Sequence, residues 1–156
     1  MTRLTNSVIL ERANALAFAL PAALLAGAWG SQLIGHLYPC EMCHWQRWPH
    51  YAALGIALLA FLIKPLRQPL VALAAIAILI SGGIGVFHAG VEYHWWEGFT
   101  TCSRIGGATL ADIMHAPIVR CDTAQWTLFG ISLAGFNAII SVTGGLFILN
   151  LLRKAR

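Results

Sequence analysis

The chain contains a run without charged residues, from Ala13 to Pro39, that is long enough to cross a lipid bilayer. At about 1.5 Å per residue, this run in helical form exceeds the hydrocarbon thickness of about 30 Å. Three further apolar runs follow, and peptide groups in lipid find partners only within helices or closed barrels. We therefore predict an all-α integral membrane protein, an antiparallel bundle of four transmembrane helices with spans at about 13–37, 43–63, 70–88 and 126–152.

The composition supports a membrane protein. Of the 156 residues, 58% are hydrophobic and 10% are charged, and the mean hydropathy is +0.71. This leaves too little polar surface for a water-soluble globule. The net charge of +4 comes from Lys and Arg residues that mostly flank the apolar runs, so we expect the lipid bilayer, and not nucleic acid, as the partner of these cations. The first run is too long for the core of a cleaved signal peptide and is expected to be retained.

The positions of the cations predict the orientation of the helices. With the amino terminus in the cytoplasm, the inner side holds most of them: Arg3, Arg12, Lys64, Arg67, Arg153, Lys154 and Arg156. The outer side holds Arg47, Arg104 and Arg120. Cytoplasmic loops carry the excess of Lys and Arg, so both termini are expected in the cytoplasm and all four cysteines on the outer side. A bacterial periplasm or a similar compartment on that side would allow disulfides, so the charges and the cysteines agree on one orientation for a multi-pass membrane protein.

Two cysteines stand at the expected start of the second span, in the segment Pro39-Cys40-Glu41-Met42-Cys43-His44-Trp45-Gln46-Arg47. The apolar part of this span is short, so we expect its helix to begin near Cys43. Arg47 then lies one turn later on the same face. A helix amino terminus and a fixed cation both stabilise a thiolate. Arg47 taken alone is equally typical of an anchor at the headgroup level.

The C-x-x-C pair has three interpretations. A redox-active disulfide is the first, because such a pair forms a small ring whose second thiolate can attack an acceptor. The second is haem attachment, because Cys40-Glu41-Met42-Cys43-His44 matches C-x-x-C-H. The third is a zinc site completed by Cys102, Cys121 or a histidine. We rank redox chemistry first, haem second and zinc third.

The outer loop, at about 89–125, carries the other two cysteines. Cys102 and Cys121 are either a staple that orders the loop or a second disulfide that exchanges with a soluble partner. Between them, Leu110, Ile113 and Met114 have the spacing of a short amphipathic helix lying on the outer leaflet.

The third span carries small residues in its middle and ionisable residues at its outer end. Small residues at 81–85 are expected to let a neighbouring helix approach closely. His88 and Glu92 are candidates for proton relay or cofactor binding at the membrane boundary. On residue type alone, a solvated histidine at the headgroup level is the simpler interpretation for His88.

The sequence resembles the disulfide-bond formation protein B (DsbB) family over nearly its whole length. The resemblance lies in the segment Pro39–Arg47, the run His88-Ala89-Gly90-Val91-Glu92, the pair Cys102 and Cys121, and the run Gly130–Gly135. It implies a membrane thiol:quinone oxidoreductase that reoxidises a periplasmic DsbA-like oxidase of thioredoxin fold. The haem interpretation gives no role to the second cysteine pair.

The resemblance also implies roles for individual residues. Cys40 and Cys43 would be the pair next to quinone, either ubiquinone or menaquinone, with Cys43 as the thiolate that donates to the ring. Arg47 would stabilise charge on a quinone oxygen. Gln46, His88 and Glu92 would lie near the same ring, and no metal is expected. Cys102 and Cys121 would form the loop disulfide, with Cys102 the cysteine that meets the partner.

Other classes remain open from the sequence. A haem-bearing electron carrier and a scaffold with two inert disulfides are both compatible with the four cysteines. A vitamin K epoxide reductase-like enzyme also combines a helical bundle, C-x-x-C and quinone. In that class, however, we expect the C-x-x-C pair after the loop cysteines, the reverse of the order in this chain.

Overall fold

The computed structural model describes residues 2–98, 103–104 and 118–155, with side chains for residues 6–98 and 119–155. Four long helices lie in this part of the chain: α1 (Thr2–Leu33), α2 (Glu41–Leu62), α3 (Arg67–Glu92) and α4 (Leu133–Lys154). A short 3-10 turn, Lys64–Leu66, joins α2 to α3. The predicted interfacial helix at Leu110, Ile113 and Met114 lies outside the described residues.

Three segments of the described chain are long and apolar enough to cross a membrane: Asn6–Leu33, Lys64–Glu92 and Leu133–Lys154. The prediction of an all-α, multi-pass membrane protein is therefore confirmed. Helix α2 has 22 residues, but its first half carries polar side chains that face into the bundle. Membrane crossing by α2 stays a prediction.

The ends of the helices differ from the apolar runs that predicted them. The run from Trp126 begins with an antiparallel hairpin, in which β3 (Thr127–Leu128) pairs with β4 (Ile131–Ser132). Its turn residues Phe129 and Gly130 both have positive φ, at 53° and 77°, as in tight hairpin turns. The Ser132 hydroxyl then accepts a hydrogen bond of 3.1 Å from the Gly135 amide and caps α4.

A second strand pair lies in the loop between α3 and α4. Strand β1 (Ser103–Arg104) is antiparallel to β2 (Ile118–Val119), with Ser103 opposite Val119. Ser103 follows Cys102 in the sequence, and Val119 precedes Cys121 by two positions. This pairing joins the two halves of the loop next to both loop cysteines.

Helix α3 is the centre of the bundle and packs against both α2 and α4, while α1 packs against α2 and α4. Small side chains let these helices approach closely. The core consists of Ala13, Ala17, Ala53, Ala57, Ala60, Val71, Ala74, Ala75, Ile78, Ile148 and Leu152. A Cβ placed on Gly85 would lie 3.0 Å from the Ala138 amide nitrogen and 3.1 Å from the Ala134 carbonyl oxygen. The packing role predicted for the small residues at 81–85 is therefore confirmed at Gly85.

We expect Gly85→Ala to destabilise the bundle by about 1–3 kcal/mol, because its Cβ would press on the α4 backbone, which moves only if α3 and α4 separate. Gly83→Ala is the matched control, since a Cβ there meets nothing within 4 Å and alanine has the higher helix propensity. The measurement is the free energy of unfolding in detergent micelles. Equal stability of the two variants would contradict the packing described for Gly85.

Candidate functional site

The two sulfurs of the C-x-x-C pair meet at the start of α2. Cys40 is the residue before the helix, with extended backbone angles, and its Sγ accepts a hydrogen bond of 3.2 Å from the Cys43 amide. The Sγ atoms of Cys40 and Cys43 are 2.9 Å apart. A disulfide bond of about 2.05 Å can therefore form with little movement. Cys43 lies in the first turn of the helix, as the sequence predicts.

His88 lies against this pair and is not solvated at the membrane surface. Its side chain is buried, with Nε2 at 3.5 Å from Cys40 Sγ and 3.6 Å from Glu92 Oε1. Its other ring nitrogen, Nδ1, is 2.7 Å from Gln46 Nε2. Glu92 follows His88 by one helical turn and is also buried. The simpler interpretation, a solvated histidine at the headgroup level, is wrong.

A network of buried polar side chains continues from Gln46 into the bundle. The Asn137 amide Nδ2 donates to Gln46 Oε1 at 2.8 Å and to the Ser81 carbonyl oxygen at 3.2 Å. The Asn137 Oδ1 is 2.9 Å from His50 Nε2 and accepts from the Ser141 hydroxyl at 2.9 Å. The network thus joins α2, α3 and α4 inside the protein.

Sequence reasoning missed the polar roles of these residues. His50 and Ser141 received no role, and Ser81 was expected only to let a neighbouring helix approach closely. A signal was present for His50, because it follows Gln46 by four positions and so lies on the same face of α2. The contacts across helices have no counterpart in local spacing.

Arg47 is a buried cation and not an interfacial anchor. Its side chain is 8% exposed and turns towards α1. Nη1 donates to Gln32 Oε1 at 2.8 Å and Nη2 donates to the Ala28 carbonyl oxygen at 3.0 Å. The guanidinium also lies 5.4 Å from the centre of the Trp29 ring, a cation–π distance. These contacts satisfy a charge that would be costly to bury alone.

A cavity of about 240 Å³ lies beside the dithiol, bordered by α1, α2, α3, α4 and the loop that follows β2. Both sulfurs of the C-x-x-C pair border it. The four residues that the resemblance places near quinone border it as well: Gln46, Arg47, His88 and Glu92. The rest of the lining includes apolar side chains of α1 and α4, such as Leu24 and Phe136. The cavity therefore combines carbon walls with a few polar groups, as small-molecule sites do.

Cys121 brings a third sulfur to the same place. It is buried, and its side chain is hydrogen-bonded with that of Cys40. This contact, together with the Cys43 hydrogen bond and burial, raises the pKa of the Cys40 thiol. The Gln125 amide donates to the Tyr38 carbonyl oxygen at 2.7 Å and joins the loop to the segment before Cys40. Cys102, the fourth predicted cysteine, lies outside the described residues.

The structure bears differently on the zinc and haem interpretations of the C-x-x-C pair. The donor atoms of Cys40, Cys43 and His88 lie within 4.8 Å of one another, so three zinc-type ligands are close together. His44, the haem ligand expected from C-x-x-C-H, is exposed and does not border the cavity. The histidine beside the sulfurs is His88, which the haem signature does not include.

In the reduced protein we expect a maleimide to modify Cys43 faster than Cys40, by about tenfold or more, because only the thiolate reacts. Cys40 is 1% exposed and its thiol pKa is raised, whereas Cys43 is partly exposed. Mass spectrometry of peptides after timed quenching measures both rates. Faster modification of Cys40 would contradict the arrangement of the two thiols.

Comparison with known proteins gives one family. The sequence model described as "Disulfide bond formation protein DsbB" matches residues 11–151. The chain is 28% identical over 153 residues to "Disulfide bond formation protein B" of Aromatoleum aromaticum, covering 89% of this chain and 90% of that protein. It is 25% identical over 137 residues to "Uncharacterized protein RP370" of Rickettsia prowazekii, covering 83% and 80%. No solved structure matches the chain significantly.

The family match covers α2 and α3 completely, α1 from residue 11 onwards and α4 up to residue 151. It includes every predicted site residue. The order of the cysteines, with the C-x-x-C pair first, agrees with it. The chain therefore belongs to the DsbB family of membrane proteins for disulfide bond formation.

Proposed function

We propose that the protein is a thiol:quinone oxidoreductase of the bacterial inner membrane. It oxidises a periplasmic DsbA-like thiol oxidase and passes the electrons to quinone of the membrane pool. The observation that carries this proposal is the shared cavity: the Cys40–Cys43 pair borders the same space as the buried cation Arg47. Family membership supports disulfide chemistry, and the cavity supports a flat, mostly apolar electron acceptor.

The residues present fit a quinone. The ring is flat and apolar and carries two oxygens that need polar partners, and the cavity offers carbon walls with Arg47 and a buried amide network. Oxidation of Cys40 and Cys43 to a disulfide breaks two S–H bonds, forms one S–S bond and releases two electrons and two protons. A quinone held in the cavity would supply the acceptor for both, because its conversion to quinol requires two electrons and two protons.

The protein side chains divide the work around the dithiol. Cys43, in the first turn of α2, is held as a thiolate by the helix amino terminus. The Arg47 guanidinium keeps a permanent positive charge where negative charge develops on the acceptor. Gln46 Nε2 donates to His88 Nδ1, so the neutral ring carries its proton on Nε2. His88 Nε2, at 3.5 Å from Cys40 Sγ, therefore points a donor at this sulfur and stabilises the Cys40 thiolate as it forms. Gln46 and Glu92 contact His88 and hold its ring in place.

The four cysteines then form a relay of thiol exchange. The reduced partner attacks Cys102 of the Cys102–Cys121 disulfide, and a mixed disulfide forms as the Cys121 thiolate leaves. Cys121 contacts Cys40, so it attacks that sulfur of the Cys40–Cys43 disulfide and releases Cys43. The second thiol of the partner then attacks the mixed disulfide and releases Cys102. Cys102 attacks Cys121, which restores Cys102–Cys121 and releases Cys40, so Cys40 and Cys43 are left reduced. Each exchange conserves the number of disulfides, and the electrons leave the relay only at quinone.

This function requires the orientation predicted by the cations. We propose that α2 is the fourth membrane span, that both termini are cytoplasmic and that the cysteines face the periplasm. Three features support the arrangement: the excess of Lys and Arg at one end of the bundle, the buried polar face of α2, and the grouping of sulfurs at the other end. A partner with an exposed thioredoxin-type dithiol can then reach the outer loop.

We expect Cys43→Ser and Cys102→Ala to separate the two halves of the relay. Cys43→Ser should abolish quinone reduction with every thiol donor, because the thiolate next to the ring is lost. Cys102→Ala should block oxidation of a DsbA-like protein but keep quinone reduction with a small dithiol, which reaches Cys40–Cys43 without the loop pair. The measurement is anaerobic quinol formation by absorbance. Quinone reduction by Cys43→Ser would contradict the proposed function.

We expect Arg47→Ala to raise the KM for a soluble ubiquinone by roughly 10- to 100-fold, since a hydrogen bond to a charged group contributes about 1.5–3 kcal/mol. The KM for the thiol partner should stay unchanged. Arg47→Lys should recover part of the affinity because it keeps the charge but loses the planar fork. Arg67→Ala is the control, because Arg67 is also largely buried but pairs with Glu11 on α1, far from the cysteines in the bundle. An unchanged quinone KM in Arg47→Ala would refute the role of this cation.

A further inference from the structure

His50 is a cavity residue for which the relay has no use. It lies one turn after Gln46 on α2, is 3% exposed and borders the cavity beside the dithiol. Its ring nitrogen Nε2 contacts Asn137 and Ser141. Its Nδ1 is buried and has no hydrogen-bond partner among the described residues. A buried nitrogen without a partner costs free energy, and a ligand in the cavity that supplies a partner would remove this cost.

The contacts of Asn137 determine which nitrogen of His50 carries the proton. The Asn137 Nδ2 faces two acceptors, the Ser81 carbonyl oxygen at 3.2 Å and Gln46 Oε1 at 2.8 Å. The carbonyl oxygen can only accept, so the NH₂ group must be on that side and Oδ1 must face His50. The Oδ1 also only accepts, so His50 Nε2, at 2.9 Å, must be the donor. In the neutral ring, Nδ1 is then an acceptor.

An acceptor at this position distinguishes the two redox forms of a quinone ring. The oxygens of quinone are carbonyls and only accept, whereas those of quinol are hydroxyls and also donate. We propose that His50, oriented by Asn137, binds a hydroxyl of quinol, so that the cavity prefers the reduced ring over the oxidised ring. This inference rests on the proposed function, because it concerns the same cavity and the same substrate class.

Such a preference would assist the transfer of electrons out of the dithiol. One hydrogen bond made only by quinol gives about a tenfold preference, which corresponds to about 1.4 kcal/mol. For a two-electron couple, tenfold is about 30 mV. The bound ring would therefore be a stronger oxidant of Cys40 and Cys43 than the same ring free in the membrane. The Arg47 guanidinium can donate a hydrogen bond to an oxygen of either redox form, whereas the His50 acceptor binds only the hydroxyl of quinol.

The test compares the affinities of the two redox forms in the full-length chain with and without the His50 nitrogens. A Cys43→Ser background prevents electron transfer between the protein and the ring. Quenching of tryptophan fluorescence reports binding, since Trp126 borders the cavity. The probes are a short-chain ubiquinone and its quinol under anaerobic conditions. His50→Phe should raise the quinol Kd about tenfold and change the quinone Kd by less than about twofold.

His36→Asn is the matched control. His36 is exposed, lies between α1 and α2 at positive φ, which asparagine tolerates, and does not border the cavity. Both Kd values should stay unchanged in this variant. Equal weakening of quinone and quinol in His50→Phe, or no change in either, would overturn the inference.

The tautomer of the wild-type ring gives a second test that needs no variant, and Asn137→Leu extends it. Nitrogen-15 NMR of the histidine-labelled, detergent-solubilised protein should show His50 protonated at Nε2. Asn137→Leu should lose this fixed tautomer and most of the preference for quinol while His50 remains. A wild-type ring protonated at Nδ1 would overturn the inference.

Failure of this inference and failure of the proposed function give different results. If the wild-type chain reduces quinone with a dithiol but His50→Phe affects both ring forms equally, the role of His50 is wrong and the thiol:quinone function stands. If the wild-type chain neither binds the ring nor reduces it, the proposed function is wrong, and the inference is overturned with it.

Discussion

The site depends on the need of buried polar groups for partners within the protein. Lipid offers no hydrogen bonds, so a polar side chain inside an apolar bundle costs free energy unless another polar group pairs with it. At one end of this bundle, Gln46 links His88 to Asn137, and Asn137 links Gln46 to His50. Because each member comes from a different helix than its neighbour, the network fixes α2 against α3 and α4. The same contacts that hold the helices together therefore place the ring of His88 against the Cys40 sulfur.

The reactive pair itself is set by a local feature, the use of a sulfur as a helix cap. Cys40 accepts the hydrogen bond of the Cys43 amide that Ser, Asp or Asn accepts at other helix starts. This contact holds the two sulfurs close and leaves Cys43 at the positive end of the helix dipole. Arg47, one turn later, adds a charge that cannot be lost. Its cost of burial is offset by the Gln32 side chain and the Ala28 carbonyl oxygen of α1.

Local patterns predicted the parts of this structure that depend on local physics. Apolar runs predicted an all-α, multi-pass membrane protein. The short apolar part of the second span placed a helix start near Cys43, and the four-residue spacing put Arg47 one turn later on the same face. The start of α4 at Leu133 was not predictable, because the hairpin at 127–132 is as apolar as the helix that follows it. The burial of His88 and the unsatisfied nitrogen of His50 depend on contacts between helices that are distant in sequence. Residue type and spacing contain no information on such contacts.

The most direct measurement is a single turnover in a chain that retains only Cys40 and Cys43. The reduced protein is mixed anaerobically with one equivalent of a short-chain ubiquinone, the ring is followed by absorbance, and thiols are counted by mass spectrometry. If the dithiol passes its electrons to the ring, each protein forms one quinol and both of its thiols are lost to a Cys40–Cys43 disulfide. Quinone that stays oxidised while both thiols remain free would contradict electron transfer from this dithiol.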